Sequence, residues 1–185
     1  MRRNVEPVEL ETRRLLLRPY HDAWAQELHA AARESIATVG RWMPWCHAQY
    51  ELSDSLEWVR HARRAWREGE EYAFALFDRE ERFVGGAGIN QIHALHNYAN
   101  LGYWIRESRQ RQGFATEAVR AVAAFAFDTL GLTRIEIVAA EGNEPSRRVA
   151  LRAGATFECL ARNRLVIHGV PHRSAVHSLV PDDLG

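Results

Sequence analysis

A single domain of the α/β (α+β) kind, built on one mixed and mostly antiparallel sheet, is the fold that this sequence predicts. Three observations point to it. Two strand-like runs, Tyr72–Phe77 and Arg82–Ile92, flank the polar turn Asp78-Arg79-Glu80-Glu81, a spacing that suits an antiparallel hairpin. The second half alternates strand, helix, strand, helix, strand, the order of a mixed sheet covered by helices. The chain has 185 residues, 46% hydrophobic and 26% charged, which suits one compact core spanning about 10–180.

In order along the chain, Leu10–Arg18 reads as a strand closed by Pro19, with Leu15-Leu16-Leu17 its most apolar part. Asp22–Arg33 reads as a helix with Trp24, Leu28 and Ala32 on one face. Pro44 keeps Trp42-Met43-Pro44-Trp45 out of a regular helix and makes it an aromatic loop. Asp54 with Glu57 resembles a capping box that opens a helix ending near Gly69. After the hairpin comes a strand at Ala99–Ile105. The helix Gly113–Leu130 has the clearest periodicity, with Ala115, Ala118, Val119, Val122, Phe125 and Ala126 at helical spacing, and Gly131 stops it. Arg134–Ala140 is an apolar strand with Ile135 and Ile137 facing one way. Pro145–Arg152 is a short helix ended by Gly154, and Thr156–Leu160 and Ser174–Val180 close the sheet. The count is seven strands and four helices. The strands at 99–105 and 134–140, joined by a crossover helix, are expected to be parallel neighbours.

Composition excludes several roles. The 24 basic and 24 acidic side chains cancel, so no overall field favours nucleic acid or an anionic membrane. Cys46 and Cys159 are too few for a disulfide framework. The start, Met-Arg-Arg-Asn-Val-Glu-Pro, lacks the apolar core of a secretion signal, and no run is long enough for a membrane span, so a cytoplasmic location is expected. His93 and His96, or His168 and His172, make no ligand motif, and no metal is expected.

The segment Arg109-Gln110-Arg111-Gln112-Gly113-Phe114-Ala115-Thr116 stands between a strand and the long helix. A helix start leaves four amide donors without partners and carries about half a positive charge. A loop that turns its amides inward adds a concave anion nest. Gly113 and Ala115 keep the approach clear, and Arg109 and Arg111 add formal charge. A pyrophosphate suits such a site.

Gln110-x-x-Gly113-x-Ala115 resembles the Q/R-x-x-G-x-G/A signature of the GNAT (general N-acetyltransferase) superfamily. Leu101-Gly102-Tyr103-Trp104-Ile105 resembles the strand before that signature in the ribosomal-protein N-terminal acetyltransferase (RimJ/RimL-like) branch. Asn143-Glu144-Pro145-Ser146, followed by Val149-Ala150-Leu151-Arg152-Ala153-Gly154-Ala155, resembles the N-x-x-S motif after the next strand. Trp42-Met43-Pro44-Trp45 and His177-Ser178-Leu179 also look like that branch, and the resemblance runs from Leu10 to Val180.

The resemblance implies a sheet splayed between its fourth and fifth strands, with an acyl thioester in the wedge. It implies acetyl-CoA as donor and an amine as acceptor, with no metal. The backbone of Tyr103, Trp104, Ile105 and Arg106 would pair with the pantetheine arm, as an added strand does. Amides of Arg111, Gln112, Gly113, Phe114, Ala115 and Thr116 would hold the pyrophosphate. Asn143 would bond the pantetheine arm, or cap the next helix, or both. Ser146 would lie by the coenzyme sulfur and protonate the leaving thiolate. Arg147 and Arg148 reach for the adenosine phosphates or form a solvated face. Trp42, Trp45, Tyr72 and Asn100 are candidate acceptor-site residues, and Asn90 a candidate polar catalytic residue. Arg63, Arg64 and Arg67 either greet an acidic acceptor or are solvated. A homodimer is a further expectation from the resemblance.

The pattern departs from the family at the base. Asn100 stands where glutamate is frequent, Leu165 falls near a second such place, and Asn90 cannot take a proton. Water relaying to His93, His96 or His172 would then serve. An α-amine, with a pKa of about 8, is roughly a fifth neutral near neutral pH, whereas a lysine amine is about a thousandth neutral. A site without a strong base therefore favours a peptide N-terminal α-amine, or another amine of low pKa, over lysine. A small amine (polyamine, amino acid or aminoglycoside) and a non-catalytic CoA-binding protein remain the alternatives.

Overall fold

The fold was read from a computed structural model, which describes residues 5–185. Residues 1–4, the start of the segment read for a leader, lie outside the described residues. Strands β1 (Leu10–Glu11), β2 (Leu15–Pro19), β3 (Tyr72–Asp78), β4 (Phe83–His93), β5 (Tyr98–Ile105), β6 (Arg134–Ala140), β7 (Thr156–Ile167) and β8 (Val170–Leu179) form one sheet. Its order is β1-β2-β3-β4-β5-β6-β8-β7. Every pairing is antiparallel except β5 with β6, the pair joined by the crossover helix. The helices are α1 (Ala25–Glu34), α2 (Leu52–Glu68), α3 (Phe114–Asp128) and α4 (Glu144–Ala153).

Three expectations are corrected. The run Leu10–Arg18 is two strands folded on each other, Leu10 opposite Leu17, because Thr12 makes a turn. Its Oγ1 accepts the Leu15 amide at 2.9 Å, and its own amide donates to Leu15 O at 2.9 Å. Asp54 lies within the first turn of α2 rather than before it; Glu51 is the cap, and its amide donates to Asp54 Oδ2 at 2.7 Å. The closing strands are longer than their apolar parts. They continue through polar residues to a hairpin turn at His168 and Gly169, which have φ of 49° and 77°.

Two cores sandwich the sheet. On one face Leu15, Leu17, Phe74, Leu76, Ile89 and Leu101 pack beneath Ala118, Val119, Val122 and Phe125 of α3. Trp66, Tyr72 and Phe74 surround Phe125 at centroid distances of 6.0, 5.7 and 5.3 Å. On the other face Leu28 and Ala31 of α1 and Val59 and Ala62 of α2 cover Ala73, Ala75 and Phe77. The period of 2 in β3–β5 therefore sends alternate residues to different helix pairs.

The end of α1 is fastened to the loop after β5. Glu34 accepts Arg106 Nε–H at 3.0 Å and the Ser108 amide at 2.7 Å. Ser35 Oγ, buried, donates to Ala31 O at 2.6 Å and accepts the Glu107 amide at 3.0 Å. The Arg106 guanidinium, then the Ser108 contacts, hold the Glu34 carboxyl down to about 2 from an ordinary 4.5. Because the folded value lies below the unfolded one, this stabilisation is complete above pH 4.5 and is lost as pH falls towards 2. Thermal melts across that range should show stability falling with pH in the wild type and a shallower fall in Glu34→Gln. Identical slopes would refute this role for Glu34.

Candidate active site

The sheet opens where chemistry is expected. β5 and β6 are paired at Tyr98–Arg134, Ala99–Ile135 and Asn100–Glu136, and no further. β5 runs on to Ile105 alongside β4, and β6 runs on to Ala140 alongside β8. Paired residues in an antiparallel ladder alternate between bonding the partner and facing away. The Arg106 amide donates to Val84 O at 2.9 Å. Trp104 and Gly102, two and four residues back, therefore turn their backbone towards β4, and Tyr103 and Ile105 turn theirs into the gap. Of the four residues expected to offer backbone to a ligand, only Tyr103 and Ile105 turn it into the gap, and the Ile105 carbonyl already accepts Gln110 Nε2–H at 2.9 Å. Trp104 and Arg106 are corrections to that expectation.

The loop that follows is shaped as an amide nest. Arg111 and Gly113 both have left-handed backbone, φ 62° and 83°, and Gly113 caps α3. A Cβ at Gly113 would also lie 3.1 Å from Arg14 Nη2. Among the described residues, the amides from Arg111 to Thr116 meet no acceptor, and the first with a partner is Glu117, donating to Gly113 O at 3.2 Å. Sequence reasoning missed what holds the nest. Arg14 donates to Gln112 O at 2.8 Å and to Glu117 Oε2 at 2.7 Å, and lies 5.0 Å above the Phe114 ring. Thr12 Oγ1 donates to Glu117 Oε1 at 2.6 Å. The acidic Glu117 in a first helical turn was the available signal. Arg109, read as charge for the nest, is instead 3.0 Å from Asp78 Oδ2.

Across the gap stands the start of α4. Asn143 caps it, accepting the Ser146 amide at 3.3 Å, and Pro145 sits in its first turn. The Tyr103 hydroxyl lies 2.9 Å from Ser146 Oγ and 2.9 Å from Ser146 O. One arrangement satisfies both contacts: Tyr103 donates to the carbonyl and accepts from the serine hydroxyl. Burial pushes the Tyr103 phenol up to about 12, so it keeps its proton throughout the neutral range.

On the α1/α2 face of the same strands lies a cavity of ≈ 590 Å³, within the usual range of small-ligand sites. Gly86, Gly88 and Gly102 form its floor, and Tyr20, Trp45, Tyr50, Trp58 and Trp104 its walls. Trp45 packs edge-on against Trp104 at 5.2 Å. A Cβ at Gly86 would meet the Tyr20 hydroxyl at 2.6 Å and Trp104 Nε1 at 2.9 Å, so the bare glycine sets the room available. Asn90 lines the cavity and accepts Asn100 Nδ2–H at 2.8 Å, while its own Nδ2 faces Gly102.

Other expected acceptor residues fall elsewhere. Tyr72 is fully buried under α3, on the opposite face, because alternation from Ala73 sends it there. Trp42 does not line the cavity; its ring lies beneath Arg41 and near Gly142 at the start of α4. Asn100 acts on Asn90 rather than on the cavity. His93 and His96 stack on each other at the β4–β5 turn, and neither they nor His172 line the cavity. Its histidines are His47 and His61, and it carries three carboxylates, Asp54, Glu57 and Glu71. The premise of a site without a carboxylate therefore fails. Among the described residues, no three His, Cys, Asp or Glu side chains gather as metal ligands. No helix among them is long and apolar enough to cross a membrane.

A splayed parallel pair beside an amide nest narrows the fold to few families, and comparison with known proteins says which. A model of the acetyltransferase (GNAT) domain matches residues 14–156. The chain belongs to the GNAT acetyltransferase family. It is an acyl-CoA N-acyltransferase by that membership, similar to ribosomal-protein acetyltransferases. The Escherichia coli ribosomal-protein-serine acetyltransferase is 28% identical over 148 residues, spanning 72% of this chain and 81% of that one. A solved Vibrio cholerae protein, provisionally assigned the same activity, is 36% identical with a TM-score of 0.81, over 94% of this chain and 98% of that one. The microcin C7 self-immunity acetyltransferase, solved with acetyl-CoA and AMP, has a TM-score of 0.86 at 21% identity, over 91% and 93% of the two chains. That likeness shows the fold.

In this GNAT acetyltransferase, Gly86→Ala should crowd Tyr20 and Trp104 at a cost of about 1–3 kcal/mol. The expected result is a lower melting temperature and a higher KM for the amine, with acetyl-CoA affinity unchanged by calorimetry. An unchanged amine KM would show that this cavity is not the acceptor site.

Proposed function

We propose that this chain transfers the acetyl group of acetyl-CoA to the N-terminal α-amine of a peptide or protein. The observation that carries this reading is the end of β5–β6 pairing after Asn100, which leaves the Tyr103 backbone facing a gap bordered by the nest and by Ser146. The amides of Arg111 to Thr116 take the pyrophosphate, and the pantetheine arm lies along β5 at Tyr103. The thioester then sits beside α4, and the acceptor amine enters from the aromatic cavity. The amine lone pair attacks the carbonyl carbon. Amide donors along the open edge of β5 suit the developing oxyanion. The C–S bond breaks, and the sulfur takes a proton from the Ser146–Tyr103 pair. Asn90, oriented by Asn100, presents an N–H donor towards Gly102 and positions the acceptor.

Support for the α-amine comes from relatives named for acetylating a serine or an alanine of ribosomal proteins, residues whose side chains carry no amine. The test is intact-mass analysis after incubation with acetyl-CoA. Peptides with free serine or alanine at the N-terminus should gain one acetyl group, and N-blocked peptides bearing only lysine should not. Acetylation of polyamines or free amino acids with no peptide product would replace this reading by a small-molecule one. Ser146→Ala should lower kcat by about 10²-fold with acetyl-CoA affinity kept. A full-rate Ser146→Ala enzyme would exclude the serine as proton donor.

A further inference from the structure

The acceptor reaches the enzyme mainly as an ammonium, and the amine must lose a proton before it attacks. Neither strand residue beside the gap takes one, since β4 offers Asn90 and β5 offers Asn100. The cavity holds Asp54, Glu57 and Glu71. Asp54 is committed to the start of α2, accepting the Glu51 amide at 2.7 Å, and Glu57 is exposed. Glu71 differs from both. It stands one residue before β3, next to the Tyr72–Ile89 pair, and lines the cavity together with Asn90, the residue after Ile89. Asn90 in turn pairs with Asn100. Tyr72 and Ile89 are in the core beneath α3. By alternation, Glu71, Asn90 and Asn100 form one polar row on the cavity face, leading from α2 to the strand that borders the gap.

Glu71 is held in a defined orientation. His61 Nε2 lies 3.1 Å from Glu71 Oε2, and Arg64 Nη2 lies 3.5 Å from His61 Nδ1. With the guanidinium facing Nδ1, the neutral ring carries its proton on Nε2 and donates it to the carboxylate. Trp58 packs against the ring at 5.5 Å. Among the described residues, Glu71 Oε1 meets no partner. The carboxylate is partly buried, at 30% exposure, beside a cavity with room for a water next to Asn90.

We propose that Glu71 is the general base of acetyl transfer, accepting the proton of the acceptor ammonium through one water held at Asn90, with His61 as its positioning residue. This rests on the acetyl-transfer reading above. The ammonium gives one proton through the water to Glu71, and its freed lone pair forms the C–N bond. The C–S bond breaks, and the thiolate takes a proton from the Ser146–Tyr103 pair. The second amine proton leaves the nitrogen as the adduct collapses and restores that pair through water in the gap. Glu71 then releases its proton to solvent, so one proton is freed per amide formed.

The test is the pH dependence of kcat/KM with serine- and alanine-initial peptides free of lysine. Beside Glu71 stands His61, with Arg64 behind it, and the other titratable groups lining the cavity are Asp54, Glu57, His47, Tyr20, Tyr50 and Tyr103, so each profile is compared with a single substitution. Wild type accepts the ammonium, and its acid limb should break below the amine's own pKa. Glu71→Gln can use only the neutral amine. Its limb should move up to the amine's pKa, with a loss of about 10²-fold at pH 7 that shrinks at higher pH. Glu71→Asp should keep the wild-type break at reduced rate. His61→Ala should lower kcat and leave the break in place. Acetyl-CoA affinity should be unchanged in all of them. A Glu71→Gln profile that keeps the wild-type break, or falls equally at every pH, overturns the proposal while leaving acetyl transfer intact. Wild-type protein that neither binds acetyl-CoA nor acetylates these peptides overturns the parent reading, and this proposal with it.

Discussion

Two neighbouring strands that begin as a parallel ladder and then separate impose the main constraint on this molecule. After Asn100 and Glu136 the backbone of β5 has no strand on one side. An unpaired backbone group kept from water costs about as much as a lost hydrogen bond. The fold answers in two ways. Gln110 returns its amide to the Ile105 carbonyl, and the remaining groups near Tyr103 are left facing the gap. The first residue of the family signature thus closes the strand end that its glycine-bearing loop leaves behind.

The separation would be of little use if its borders moved. The loop after β5 is gripped from both sides of the sheet: Arg14 and Glu117 hold it beneath α3, and Glu34, Ser35 and Thr38 hold it at the end of α1. The segment after α1 also reaches the far hairpin, where His168 Nε2 lies 2.8 Å from Gly40 O. The same stretch carries Trp45 to the cavity wall. The gap beside β5 and the aromatic cavity therefore share one support.

Much of this was legible in the sequence, for reasons that can be named. The crossover helix, the parallel pair and β6 follow from strong periodicity and from residues with few alternatives, such as Ile135 and Ile137. The ends of β7 and β8 were hidden because Arg162, Asn163 and Arg164 lie on an edge strand, where neither face is core. The break between β1 and β2 rests on Thr12, one hydroxyl in an otherwise strand-like run. Tyr72 was misplaced because an aromatic residue at a strand start suits either face, and only its alternation with Ala73 decides. The carboxylates of the cavity were invisible for a different reason. Glu71 and Asn90 come to one cavity through the pairing of Tyr72 with Ile89 rather than through sequence proximity. Asn143 was legible in one of its two readings, since a cap needs only local chemistry.

The alternation of β5 has a consequence for traffic of protons. Tyr103 projects towards α4, and its neighbours Gly102 and Trp104 face α1 and α2. The sheet is thus a partition one residue thick. A phenol kept protonated by burial waits on one side, and the polar row ending at Asn90 lies on the other. The two sides meet in the gap where β5 and β6 part, so a proton shed by an incoming nucleophile reaches the departing sulfur through that opening.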